Sequence, residues 1–105
     1  RGNAKFKLED YQGAVADFTM AIALKPDDPY AYLGRGNAKM ALNDPQGSRA
    51  DYTKAIGLKP DFADAYYNSG VLYVALNQKD KALADFMRAI ELGKRVPQMV
   101  LDMCK

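Results

Sequence analysis

Asparagines recur in this sequence at positions where a side chain could do chemistry, and that chemistry is recognition rather than bond-making. Asn3 and Asn37 stand 34 residues apart. A carboxamide carries two N–H donors and an oxygen with two lone pairs, so it pairs with a peptide backbone in either polarity. Groups that make and break bonds are scarce. Histidine is absent, and the single cysteine, Cys104, has no base near it to generate a thiolate. No carboxylate pair stands out for acid–base work, and no Cys/His spacing suits zinc. Gly34, Arg35 and Gly36 lie in a helical stretch, so they do not form a phosphate-cradling loop. An enzyme is not expected, nor is a cofactor or a metal.

Charge narrows the partners further. Fifteen Lys and Arg against thirteen Asp and Glu leave a net +2 over 105 residues. That is too little to expect nucleic acid or an anionic membrane by bulk electrostatics. No apolar run approaches the ~18 residues a membrane span needs. One cysteine permits no intrachain disulfide and suits a reducing compartment, so a cytoplasmic location is expected.

The elements that must position these side chains repeat. Gly2, Gly36 and Gly70 are spaced by 34, as are Phe18, Tyr52 and Phe86, Ala21, Ala55 and Ala89, Ile22, Ile56 and Ile90, and Leu24, Leu58 and Leu92. A fixed period of this size marks stacked units, each burying its apolar face on the next. Each unit reads as helix, short turn, helix. In the middle copy Asp28 caps and Pro29 opens a helix over 30–42, and Asp44 and Pro45 open a second that runs to 58. Lys59, Pro60 and Asp61 end it. The third copy predicts helices over 63–76 and 79–92, with Asp61 or its neighbour as the cap. The first copy keeps a helix over 11–24 and starts in mid-pattern, which reads as a piece cut from a longer chain. The expected division of this single array is therefore a truncated unit over 1–28, full units over 29–62 and 63–96, and a last helix over 97–105. Gly93 reads as a C-cap, and the final helix either caps the stack, the preferred reading, or begins a further unit.

Glycine inside a helix costs ~0.5–1 kcal/mol relative to alanine, so three equivalent glycines predict a close approach of the paired helices. The series Ala14, Ser48 and Ala82 and the series Ala21, Ala55 and Ala89 would supply the matching flat surface. The periodic aromatics, including Tyr32 and Tyr66, are expected in the core. Asp17, Asp51 and Asp85 recur too, and with Lys54 and Arg88 three residues on, two of them are expected to form surface i,i+3 pairs.

These residues together resemble the tetratricopeptide repeat (TPR) family over about residues 1–92. The resemblance rests on the 34-residue period, the glycine, aromatic and small-residue series, Tyr32 and Tyr66 where the family often has tryptophan, and Pro26 and Pro60. Ser48, Gly57 and the lack of a proline after Leu92 depart from the pattern. The stretch DYQGAVADFTMAIALKPD is similar in wording to bacterial members. The resemblance implies an all-α, right-handed superhelical solenoid of antiparallel helix-turn-helix repeats, whose first helices line a concave groove. That groove would present Asn3, Phe6, Lys7, Tyr30, Leu33, Asn37, Met40, Ala41, Asp64, Tyr67, Asn68, Val71 and Val74. The asparagines would either meet a peptide backbone or hold the helices together; tyrosines would form aromatic walls.

Some family members clamp the carboxylate tails of heat-shock chaperones with lysine, asparagine and arginine. In one register Asn3 fits, but Gly34 stands at the next asparagine and Asp64 and Asn68 at the cations. In the other, Asn37 and Asn68 fit, but Gln98 and Asp102 replace the cations. Neither register holds a carboxylate. RNA binding would need a positive groove, and Asp64 sits in this one. The expected function is a protein–protein interaction module, an adaptor or scaffold that takes a peptide segment of an unidentified partner in the groove. The alternative is self-assembly into homo-oligomers through the terminal helices.

Overall fold

Side-chain caps and left-handed asparagines punctuate the chain. The Asp28 carboxylate accepts the Tyr30 N–H at 3.0 Å with Pro29 at the first helical position, and Asp44 accepts the Gly47 N–H at 3.1 Å ahead of Pro45. Asn43 and Asn77 adopt φ of 63° and 60°, and Gly93 adopts 98°. Each ends a helix by letting the following N–H reach back: Asp44 to Lys39, Gln78 to Tyr73, Lys94 to Ala89. The structure, a computed structural model, describes residues 8–102 and Cys104. They form six helices and no strand: α1 Leu8–Leu24, α2 Pro29–Ala41, α3 Pro45–Leu58, α4 Ala63–Ala75, α5 Lys79–Glu91 and α6 Gln98–Asp102. Gly2, Asn3, Phe6 and Lys7 lie outside the described residues.

One boundary differs from expectation. The first helix already includes residues 8–10, ahead of the expected start at 11. Glu9 occupies the position of Asn43 and Asn77, and glutamate lacks the tolerance for positive φ that asparagine has, so the helix runs through where the other units turn. At α4 the cap is Phe62, with no side-chain bond to the helix. Phe62 is buried instead, and Asp61 accepts from Lys59 Nζ at 3.3 Å.

Packing alternates between two kinds of seam. Helix α2 pairs with α3 and α4 with α5 inside the units, while α1 meets α2 and α3 meets α4 between units. The glycine series explains the first kind, though not as expected: it faces an aromatic ring rather than a flat alanine surface. A Cβ on Gly36 would lie 2.7 Å from the Tyr52 ring, and one on Gly70 would lie 2.6 Å from Phe86. Tyr52 and Phe86 are buried against that missing atom. The alanine series serves the second kind of seam. Ala55, Ala65 and Phe62 form a buried cluster between α3 and α4, flanked by Tyr32, Leu33 and Ile56. The result measures 36 × 30 × 25 Å. No helix of the described residues is long and apolar enough to cross a membrane.

The last unit ends differently. Leu83, Met87 and Ile90 of α5 keep a stripe of exposed apolar surface, although α6 follows directly. Met99 of α6 stands one period after Ala65, yet it is 73% exposed where Ala65 is buried. A long side chain does not fit a seam built around alanine.

Gly36→Leu should lower stability by about 1–3 kcal/mol or more through overpacking against Tyr52. Gly57→Ala, with nothing within 4 Å of the added methyl, should raise it by up to about 1 kcal/mol. Thermal melts of the two variants check the contrast; equal shifts would refute the close-approach account.

Candidate binding groove

Helices α2, α3 and α4 enclose a depression of about 320 Å³ lined by Asn37, Met40, Tyr52, Tyr67, Asn68 and Val71. A second depression of about 310 Å³ lies beside it, lined by Asp10, Tyr11, Ala14, Phe18, Gly34, Asn37 and Ala38. Asn37 belongs to both. Its Oδ1 accepts from the Tyr52 hydroxyl at 2.5 Å and from Asn68 Nδ2 at 3.1 Å. The three side chains come from three helices and two units. Asn37 remains exposed while Tyr52 is buried. Burial pushes the Tyr52 phenol above its ordinary pKa, the nearby Asp51 carboxylate adds to this, and the Ser48 hydroxyl offsets part of it. The phenol therefore stays protonated, and a donor, at neutral pH.

Of the residues named from sequence, Asn37, Met40, Tyr67, Asn68 and Val71 converge on the first depression. The others lie elsewhere. Tyr30 packs edge-on against Phe62, with ring centroids 4.9 Å apart. Leu33 packs against the cluster between units. Asp64 holds Lys94 at 2.8 Å, and the Lys94 ammonium lies 5.3 Å from the centre of the Tyr67 ring. Asn3 and Lys7 fall outside the described residues. Sequence reasoning missed Tyr52 as a groove residue because its ring belongs to the core series. The available signal was its hydroxyl, since Phe18 and Phe86 at equivalent positions lack one.

The repeated aspartates are not surface i,i+3 partners. Asp51 is buried and takes a forked pair of bonds from Arg35, Nε at 2.9 Å and Nη2 at 2.8 Å, with Lys39 at 3.4 Å. Arg35 also donates to Thr19 Oγ1 at 3.2 Å, which ties α1 to the pair. In the next unit Ser69 replaces Arg35 and donates to Asp85 at 2.6 Å, while Arg88 turns to Glu91 at 3.0 Å. Burial raises the Asp85 pKa and the Ser69 bond offsets part of that rise. Both cations of α2 are thus held by one carboxylate, and α4 carries no cation. The lining of the depression is mostly apolar, with two carboxamides and a hydroxyl in it and no charged group. Among the described residues no cluster of His, Cys, Asp or Glu could hold a metal ion. Burial raises the Cys104 thiol, with Lys79 offsetting part of the effect, so it is not an activated nucleophile.

A tetratricopeptide repeat family model matches residues 33–99, and a TPR repeat model matches residues 2–43. The chain belongs to the tetratricopeptide repeat family. No curated protein matches it. Solved TPR domains share its fold. The first TPR of Spaghetti (RPAP3), bound to the HSP90 peptide SRMEEVD, superposes with a TM-score of 0.86 at 22% identity, over 91% of this chain and 78% of that one. The TPR domain of Arabidopsis OM64 gives 0.86 at 25% identity, over 92% and 82%. The TPR2B domain of yeast Sti1, solved in complex with pHsp70, gives 0.84 at 24% identity, over 91% and 83%.

The unequal aspartates predict opposite substitution effects. Asp51→Asn should destabilise by about 2–4 kcal/mol; the figure falls short of that for a fully buried pair because both cations keep some contact with water. Asp85→Asn should raise the melting temperature at pH 7. A raised folded-state pKa means that Asp85 favours folding when protonated, fully so below about pH 4, and loses that contribution as pH rises through the raised value. The gain from Asp85→Asn should therefore vanish in acid. Melts at pH 7 and pH 4 test both signs.

Proposed function

We propose that this TPR array is an adaptor or scaffold module that holds a peptide segment of a partner protein against α2 and α4. The observation that carries this reading is the floor of the 320 Å³ depression, where two carboxamides stand among Met40, Tyr67 and Val71. Asn37 and Asn68 meet the peptide backbone, the apolar neighbours take a side chain, and Tyr67 gives an aromatic wall.

The peptide is not an acidic tail of the kind bound by the TPR of Spaghetti. Holding a carboxylate requires unpaired cations. Among the described residues of this face, Arg35 and Lys39 are engaged with Asp51, and Lys94 with Asp64. The open stripe of Leu83, Met87 and Ile90 supports a second reading, self-association at the C-terminal end of the array. Light scattering over a concentration series separates the two: a dimer lost on removal of residues 97–105 favours assembly, and a strict monomer favours peptide capture.

Asn37→Ala combined with Asn68→Ala should weaken binding of a partner recovered by pull-down from the native organism at least tenfold, with a melting temperature within a few degrees of the parent. Calorimetric titration measures the first and a thermal melt the second; an unaltered affinity would remove the groove reading.

A further inference from the structure

We infer that Tyr52 is a positioning residue for ligand binding: its hydroxyl holds the Asn37 oxygen inward, so that the Asn37 amino group is presented to an extended peptide beside the acceptor of Asn68. The inference rests on the groove reading above and adds a polarity to it. The Tyr52 ring is 2% exposed and wedged where Gly36 lacks a Cβ, which holds its hydroxyl in place. The hydroxyl donates to Asn37 Oδ1, which also receives Asn68 Nδ2 at 3.1 Å. Two donors converge on one oxygen. A carboxamide is planar, so the Nδ2 of Asn37 turns away from both of them, and the residue is exposed. Asn68 uses one N–H in this bond and keeps its own oxygen. The pair thus offers a donor beside an acceptor, the complement of a backbone C=O and N–H.

The hydroxyl is not needed for packing. Phe18 and Phe86 fill the equivalent positions as bare rings, and Phe86 is fully buried against Gly70. The arrangement also occurs once. One period on from Asn37 stands Val71, and one period before Asn68 stands Gly34. The ligand it selects is a peptide in extended form, with an uncharged apolar side chain directed at Met40, Tyr67 and Val71. Burial keeps the phenol protonated, so the polarity holds across neutral pH.

The probe for the test is the tightest binder selected on the parent protein from a phage-displayed random dodecapeptide library, synthesised and titrated calorimetrically. Tyr52→Phe should weaken it about three- to tenfold, the loss of one hydrogen bond's ordering effect. Asn37→Asp keeps acceptors facing Tyr52 and Asn68 but replaces the outward donor, and should abolish measurable binding. Both variants should melt within a few degrees of the parent. In an Asn37→Ala background Tyr52→Phe should have no further effect on affinity, because the positioned group is gone. An unchanged affinity in Tyr52→Phe, while Asn37→Ala weakens the peptide, overturns the positioning role and leaves the groove reading intact. Asn37→Asp that binds normally overturns the assigned polarity, and would do so even if Tyr52→Phe failed to fold. No enriched peptide, or one indifferent to Asn37→Ala with Asn68→Ala, overturns both.

Discussion

A missing methyl group sets the geometry of this molecule. Where Gly36 and Gly70 sit, the helix backbone presents no Cβ, and the rings of Tyr52 and Phe86 occupy the space that one would need. Close-packed interiors do not absorb an extra carbon cheaply. The spacing of each hairpin is therefore fixed by a ring lying flat on backbone, and the glycine's conformational cost is repaid by a buried aromatic residue. Gly34 does the same between units, with Phe18 across from it. Because these rings are wedged, whatever stands at their tips is placed by the core. In the middle unit that tip is a hydroxyl, and it reaches the groove.

The charged interior follows from the same closeness. Helices brought this near bury Asp51 and half-bury Asp85, while Asp17 at the equivalent position of the first unit stays exposed, and a buried carboxylate requires a partner. Unit two supplies Arg35 and Lys39; unit three supplies only Ser69. One site is a buried carboxylate held by two half-buried cations and the other is a desolvated acid with a single hydroxyl donor, so equivalent residues are expected to contribute with opposite sign at neutral pH. The arrangement also governs what the groove can recruit. Cations committed to Asp51 are not available to a ligand, so in the proposed binding mode amide geometry and apolar fit carry the selectivity.

Periodic features were legible in the sequence, and features depending on a specific cross-helix partner were not. The 34-residue spacing, the caps at Asp28 and Asp44 and the aromatic core follow from residue type and position alone. The Asp51–Arg35 pair did not follow, because its members are 16 residues apart on facing helices and a nearer lysine offered a local alternative. The early start of α1 turned on Glu9 in place of an asparagine, a single departure inside a repeat that otherwise invites averaging. For the groove, Asn37, Met40, Tyr67, Asn68 and Val71 could be read from their register on the first helices. Tyr30 and Leu33 share that register, but Tyr30 lies largely exposed beside Phe62 and Leu33 packs against the Ala55 cluster. Periodicity says which side of a helix a residue occupies, and not what meets it there.

Repetition and recognition pull in different directions along such an array. A seam that must recur wants small, equivalent residues, as at Ala55 and Ala65. A site that must select wants residues that do not recur. The chain separates the two by helix face. Substitutions that break the period meet at one place: a hydroxyl on Tyr52 beyond the ring that packs, Asn68 where the previous unit has Gly34 close against Phe18, and Val71 where it has Asn37. All three line one depression. An array of identical units would offer a ligand many equivalent registers. Among the described residues, donor, acceptor and apolar lining coincide at one depression, and on the proposed reading that is where a bound peptide sits.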